Sequence, residues 1–187
     1  MEQSKLYMLL LGCKPAGRNT EQHDTLFAIG NSLKELVPQI EKFWPIAGKI
    51  HIDGWREINI VDGFTIHVTP NLNKGTTNTQ KLFFLNLGGY KENEFEEFHY
   101  KLLSVAADKA EAIMQAKQTA FYKHTGFKGA DSHIDDKYGV DVDDVYEIED
   151  ILPAEIKEQF HIRIERSTDA NQKADELHLG YFKLSAL

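Results

Sequence analysis

Apolar residues in this chain gather into short runs that close on glycine, and the runs occur twice. Leu6 to Leu11 ends at Gly12 and Leu82 to Leu87 ends at Gly88, each long enough for a strand and too short for an ordinary helix. A polar loop follows each, Cys13 to Asp24 and Gly89 to Tyr100, and then a second apolar run, Thr25 to Ile29 or Lys101 to Ala106. The next signals are helix starts. Ser32-Leu33-Lys34-Glu35 and Asp108-Lys109-Ala110-Glu111 both have the capping-box form, a side-chain acceptor followed three residues on by a Glu that can reach back to a free amide. Leu33, Leu36, Val37, Ile40, Phe43 and Trp44 then fall at helical spacing, as do Ala112, Ile113, Ala116, Ala120 and Phe121. Pro38 removes an amide donor past the first turn and should kink or shorten the first helix. Two strands are predicted to close each copy: Lys49 to Asp53 with Glu57 to Val61, and Ser132 to Asp135 with Gly139 to Asp143. Asp62-Gly63 predicts a turn into a further strand, Thr65 to Val68.

The polar positions repeat as well. An offset of 76 pairs Glu21 with Glu97, His23 with His99, Ser32 with Asp108 and Glu35 with Glu111. Farther on, an offset of 82 pairs His51-Ile52-Asp53 with His133-Ile134-Asp135, and Asp62 with Asp144. The expectation is an α+β fold made of a tandem ββαββ duplication, one helix covering a small sheet in each copy. The predicted boundaries are 1–70 for the first copy, 71–80 for a polar linker, 81–150 for the second copy and 151–187 for a strand-rich extension packed on the repeats. That extension carries a helical piece from Pro153 to Gln159 and strands from Phe160 to Glu165 and Leu177 to Leu184. It either seals the joint between the halves or extends a sheet to an edge, and a bare edge strand would pair with a second subunit as a homodimer.

Composition narrows the function class. A net charge of −8 argues against nucleic-acid or anionic-membrane partners, which are held by Lys and Arg. The first apolar run is far below the ~20 residues a spanning helix needs. One cysteine, Cys13, excludes an internal disulfide and suits a reducing cytoplasm; the thiol reads as incidental.

Candidate chemistry rests on pairs spaced by two. Glu21 with His23, and His51 with Asp53, each point to one face of an extended strand. Imidazole and carboxylate donors on one face suit zinc, manganese or iron, and Glu97, His99, His133 and Asp135 would form the second such site. The competing reading gives these groups structural hydrogen bonds to the loop and turn, which would leave His23 and His99 partnered within the fold. In the loop Lys14 to Thr20, Arg18 with Asn19 is a further binding candidate, because Arg18 can fork onto a carboxylate or phosphate. The acidic run at Asp141, Asp143 and Asp144 lacks EF-hand spacing and reads as a solvated face. Trp44, Trp55 and Tyr90 read as core. The sequence holds neither a Gly-x-Ser-x-Gly elbow nor a His-Glu-x-x-His helix, so standard hydrolase chemistry has no support.

With Leu-Gly-x-x-Pro-x-Gly-x-Asn-x-Glu-x-His from Leu11 to His23, Leu87-Gly88-Gly89 and the His-Ile-Asp elements, the chain resembles the bacterial family called domain of unknown function 1543. The likeness covers both halves and much of the extension, including Gly180-Tyr181. The resemblance implies a bacterial, cytoplasmic protein and a ubiquitin-like roll in each copy. It implies no activity. Cys13 departs from the Gly-Gly pattern, and the second copy lacks the Pro-x-Gly-x-Asn loop.

These readings together predict a non-enzymatic binding or interaction module for a small molecule or protein, with a cleft between the copies as its surface. No residue is assigned outright as a metal ligand. The alternative is a metal-dependent enzyme using the Glu-x-His and His-x-Asp pairs. What separates the two is whether the Glu21 and His51 pairs converge within coordination distance.

Overall fold

A computed structural model of the chain describes residues 4–71, 79–90, 93–118, 140–169 and 172–187, with backbone alone at 140 and 141. The fold is α+β. The chain divides into two compact units, Met1–Gly75 with Leu152–Leu187, and Thr76–Ile151. Unit one opens with β1 (Lys5–Cys13) and β2 (Gln22–Gly30), a 3-10 turn over Leu33–Leu36, α1 (Val37–Phe43), β3 (His51–Glu57), β4 (Ile60–Val61) and β5 (Phe64–Pro70). Unit two holds β6 (Lys81–Tyr90), β7 (Glu97–Ala106), α2 (Lys109–Ala116), β8 (Val140–Glu147) and the short α3 (Ile148–Ile151). The chain returns to unit one with α4 (Ala154–Gln159), β9 (Phe160–Arg166) and β10 (His178–Lys183).

Three antiparallel sheets result among the described residues, in strand orders β10-β3-β1-β2, β4-β5-β9 and β7-β6-β8. Alternation along β1 sends Leu9 and Leu11 to one face, where they meet Leu26 and Ala28 of β2, Ile52 of β3, and Leu36 and Ile40 of the helical segment. In unit two the same layer is Phe83, Leu85 and Leu87 under Ala106, Ala112 and Ala116. Truncating Leu9 or Leu11 to Ala at such fully buried positions costs roughly 2–5 kcal/mol.

The helix starts divide. Asp108 Oδ1 accepts the Glu111 amide at 2.9 Å, the cap bond of a capping box, and Glu111 Oε2 reaches back one residue farther, accepting the Ala107 amide at 2.7 Å. In unit one Glu35 Oε2 accepts the Asn31 amide at 2.9 Å, but the Ser32 hydroxyl makes no capping bond. The first turn there is 3-10, and Pro38 lies at the start of α1, where its missing amide hydrogen costs little. Of the two effects expected of Pro38, a kink or a shorter helix, the second is seen: α1 has 7 residues and starts one residue before the proline, after the 3-10 turn.

Other expectations are corrected by the sheet register. The strand from His51 runs unbroken to Glu57, and Ile60–Val61 pairs with β5 in a different sheet, so Glu57 to Val61 is not the fourth strand of a ββαββ unit. Leu11 lies opposite Ile52 and Leu87 opposite Val142, so β3 corresponds to β8 at an offset of 90 and not 82. His133 and Asp135 lie outside the described residues, as do Ala120 and Phe121. The implied ubiquitin-like roll has parallel central strands, whereas the β1–β3 and β6–β8 contacts are antiparallel. In chain order α1 instead lies between β2 and β3, which flank β1, and α2 between β7 and β8, which flank β6, a split βαβ arrangement. The C-terminal extension folds into unit one and adds β10 to the β3 edge.

Candidate metal centre

The site of unit one is built where β1, β2 and β3 end together. Gly12 lies opposite His23 on one side and His51 on the other, so both imidazoles flank a residue with no side chain. Between Leu10 and Leu11 the β1–β3 register slips: Gly54 faces Leu10, Ile52 faces Leu11, and Asp53 is left as the extra residue of a β-bulge. A bulge re-aims its side chain. Here it turns the Asp53 carboxylate onto the space above Gly12, where a Cβ would collide with Asp53 Oδ2 and His51 Nε2. Glu21, at the end of the loop that enters β2, completes the group.

The four side chains form a closed ring. His23 Nε2 stands 3.7 Å from Glu21 Oε2 and 3.2 Å from Asp53 Oδ2. His51 Nε2 stands 3.2 Å from Glu21 Oε1 and 3.1 Å from Asp53 Oδ1. Each imidazole therefore faces one oxygen of each carboxylate. A single Nε2–H can serve only one of two acceptors, and Asp53 Oδ2 is buried without a hydrogen-bond partner. Bonds of about 2.0–2.2 Å to a metal separate tetrahedral donors by about 3.3–3.6 Å and neighbouring octahedral donors by about 2.8–3.1 Å. Three of the four separations, 3.1, 3.2 and 3.2 Å, fall inside that span, and the 3.7 Å between His23 and Glu21 lies just beyond it. The His51 side chain is only 6% exposed, while Asp53 is 25% and Glu21 45% exposed, so the ring has a buried floor and an open rim.

The structure thus unites the two pairs that are separated in sequence. His23 has carboxylate partners but remains half exposed, so it is neither a core histidine nor a solvated one. Arg18 and Asn19 stand exposed in the loop, on a turn in which the Arg18 amide donates to Pro15 O at 3.2 Å, and they are not part of the ring. Cys13 is buried on β1 next to Gly12, and burial first, then the nearby Glu21 carboxylate, pushes its thiol pKa up, away from reactivity.

Unit two repeats the plan with different donors. Gly88 lies opposite His99 and Asp141, and a second bulge between Asn86 and Leu87 leaves Asp143 as its extra residue. A Cβ on Gly88 would collide with the Asp143 carboxylate. His99 Nε2 lies 3.3 Å from Asp143 Oδ2, and Glu97, His99 and Asp143 each offer a ligand atom within 4.8 Å of the others. Tyr90, opposite Glu97, hydrogen-bonds its carboxylate; that bond first, and then burial, raises the phenol pKa. The sequence reading missed Asp143, whose signal was the acid-x-acid at Asp141 and Asp143 matching His51 and Asp53 once the register is known.

Residues 18–68 match the model of a Domain of Unknown Function, DUF1543, a stretch that contains all four residues of the unit-one ring. The fold is similar to the crystal structure of a protein Il1583 from Idiomarina loihiensis, at 21% identity over 97% of each chain with a TM-score of 0.65. No curated protein matches the sequence. Among the described residues no helix is long and apolar enough to cross a membrane.

Proposed function

We propose that this chain is a binding protein whose ligand is a divalent transition-metal ion, held in unit one by Glu21, His23, His51 and Asp53. The observation that carries the reading is the ring itself: two Nε2 atoms and four carboxylate oxygens at 3.1–3.7 Å, with a buried acceptor left unsatisfied. Two carboxylates in that space call for positive charge, and a cation bonded to all four groups supplies it without asking one proton to serve two acceptors. Two imidazoles and two carboxylates suit zinc, manganese or iron. The exposure of Glu21 favours a second reading, a metal-dependent enzyme in which Glu21 yields its position to substrate and acts as general base.

We also infer that the units descend from one duplicated segment in a cytoplasmic bacterial protein. Support comes from the paired Gly12 and Gly88, the paired bulges, the Glu35 and Glu111 back-bonds, and matching Lys5–Glu57 and Lys81–Glu147 ion pairs at 2.7 and 2.6 Å.

Calorimetric titration of tag-free protein with Zn²⁺ and Mn²⁺, together with metal analysis of the purified protein, tests the metal reading. Binding of one ion that His23→Ala and His51→Ala both abolish is the expected result. No binding below millimolar concentrations, or binding indifferent to both substitutions, overturns it.

A further inference from the structure

Unit one has a strand that unit two lacks among the described residues, and it lies against the ring. β10 pairs with β3, His178 opposite Trp55 and Lys183 opposite His51, but the register breaks between Leu179, opposite Gly54, and Phe182, opposite Ile52. The irregularity in β10 therefore faces the Asp53 bulge. Gly180 takes φ +147 there, a conformation closed to most side chains. The break delivers Tyr181 onto the His51 imidazole, ring centroids 4.2 Å apart and planes 32° apart. Tyr181 itself is 65% exposed, so its ring covers His51 more than the protein covers it. Flanking contacts pin the strand: Trp55 stacks on His178 at 3.8 Å, and Phe182 and Leu184 pack on the unit-one core.

We infer that Tyr181 is a positioning residue for the unit-one cation, and that docking of β10 and occupancy of the site are coupled. The inference rests on the metal reading above. An imidazole free to rotate would present Nε2 to Glu21 and Asp53 only part of the time. A ring stacked on it keeps that orientation before the ion arrives, and the partial positive charge of a metal-bound imidazole strengthens its contact with the tyrosine face. By reciprocity, whatever β10 adds to metal affinity the metal returns to β10.

The test is Zn²⁺ titration of the full chain in a His99→Ala background, which removes the unit-two donor, with Tyr181→Ala, Tyr181→Phe and Leu179→Ala compared with the parent. Tyr181→Ala should weaken Zn²⁺ binding about tenfold or more. Tyr181→Phe should stay within about twofold, because the ring and not the hydroxyl stacks on His51. Leu179 is 75% exposed and lies opposite Gly54, so Leu179→Ala should leave β10 docked and Zn²⁺ binding within about twofold. In hydrogen exchange, Zn²⁺ should slow the amides of residues 178–183 in the parent and not in Tyr181→Ala. The inference is overturned if Tyr181→Ala binds like the parent, if Leu179→Ala loses as much, or if Zn²⁺ leaves β10 exchange unchanged. Absence of Zn²⁺ binding in the parent itself overturns the metal reading and this inference together, a result distinct from any of those.

Discussion

The two units build the same junction and furnish it differently. Each sets a glycine between two strand ends and a bulged aspartate over it, with a Glu-x-His where the neighbouring strand begins. Unit one adds His51, buried and stacked under Tyr181, whereas unit two has Asp141 at that register position and a histidine, His99, that is 38% exposed. The backbone device is therefore common to both units, and the donor set is what differs. Two imidazoles, one of them buried, would favour a borderline transition metal, while one imidazole among carboxylates would favour a harder ion, held less firmly. The largest expected effect follows from this contrast. His51→Ala should weaken Zn²⁺ binding at least a hundredfold, beyond the range seen when mere supporting partners are removed, and His99→Ala should leave that event unchanged. Equal losses from the two substitutions, measured by calorimetry, would make the sites equivalent and end the comparison.

Glycine replacement sharpens it. A Cβ at Gly12 meets the tips of Asp53 and His51, and a Cβ at Gly88 meets the Asp143 carboxylate. The partly exposed Asp53 carboxylate can swing aside and the buried His51 ring can only shift, so Gly12→Ala should cost the metal-free protein about 1 kcal/mol, the low end for overpacking. The swing would destroy the ring, so the same variant should lose tight Zn²⁺ binding, and Gly88→Ala should not. A large drop in melting temperature for metal-free Gly12→Ala would mean that the junction is a packing element first.

The sequence displayed some of this and hid the rest for identifiable reasons. Glu21 with His23 and His51 with Asp53 were legible because period-two spacing puts each pair on one face, and the strand runs before Gly12 and Gly88 were legible from their apolar pattern. A bulge leaves no such mark. It adds one residue without changing hydrophobicity, so nothing in the pattern said that Asp53 would turn back over Gly12. Matching by identity also misled, since His133-Ile134-Asp135 looks more like His51-Ile52-Asp53 than Asp141-Val142-Asp143 does. The ion pairs carried the true register: Lys5 reaches Glu57 and Lys81 reaches Glu147, which fixes the offset of 90 independently of the histidines. β10 was visible as a strand, but its placement on β3 depends on long-range pairing that no local pattern encodes.

Helix capping supplies a smaller contrast. Asp108→Ala removes a made bond to the Glu111 amide and should destabilise by about 1 kcal/mol, while Ser32→Ala removes a hydroxyl that caps nothing and should cost no more than a few tenths. Chemical denaturation of the two variants measures the difference. Equal costs would show that Ser32 caps its helix in solution.

The smallest effect concerns pH. Lys42 pairs with Glu155, and this hydrogen bond holds the Glu155 carboxyl below the ordinary 4.5. A depressed carboxyl favours the folded state above its unfolded pKa, and that contribution is lost as pH falls through the folded value. In unit two Lys81 is raised above 10.5, chiefly by its hydrogen bond to Glu147, so its contribution is present below 10.5 and lost as pH climbs through the folded value. The first fastening is therefore acid-labile and the second alkali-labile. Both pairs are exposed enough for solvent screening to keep the effects slight and salt-sensitive. Unfolding followed separately in the two units should show Glu155→Gln flattening the decline of unit one below about pH 4.5 without altering its alkaline limb. Lys81→Met should flatten the alkaline limb of unit two and leave its acid limb alone. An acid decline in unit one that survives Glu155→Gln unchanged would show that the Lys42–Glu155 pair is not what fastens the unit in acid.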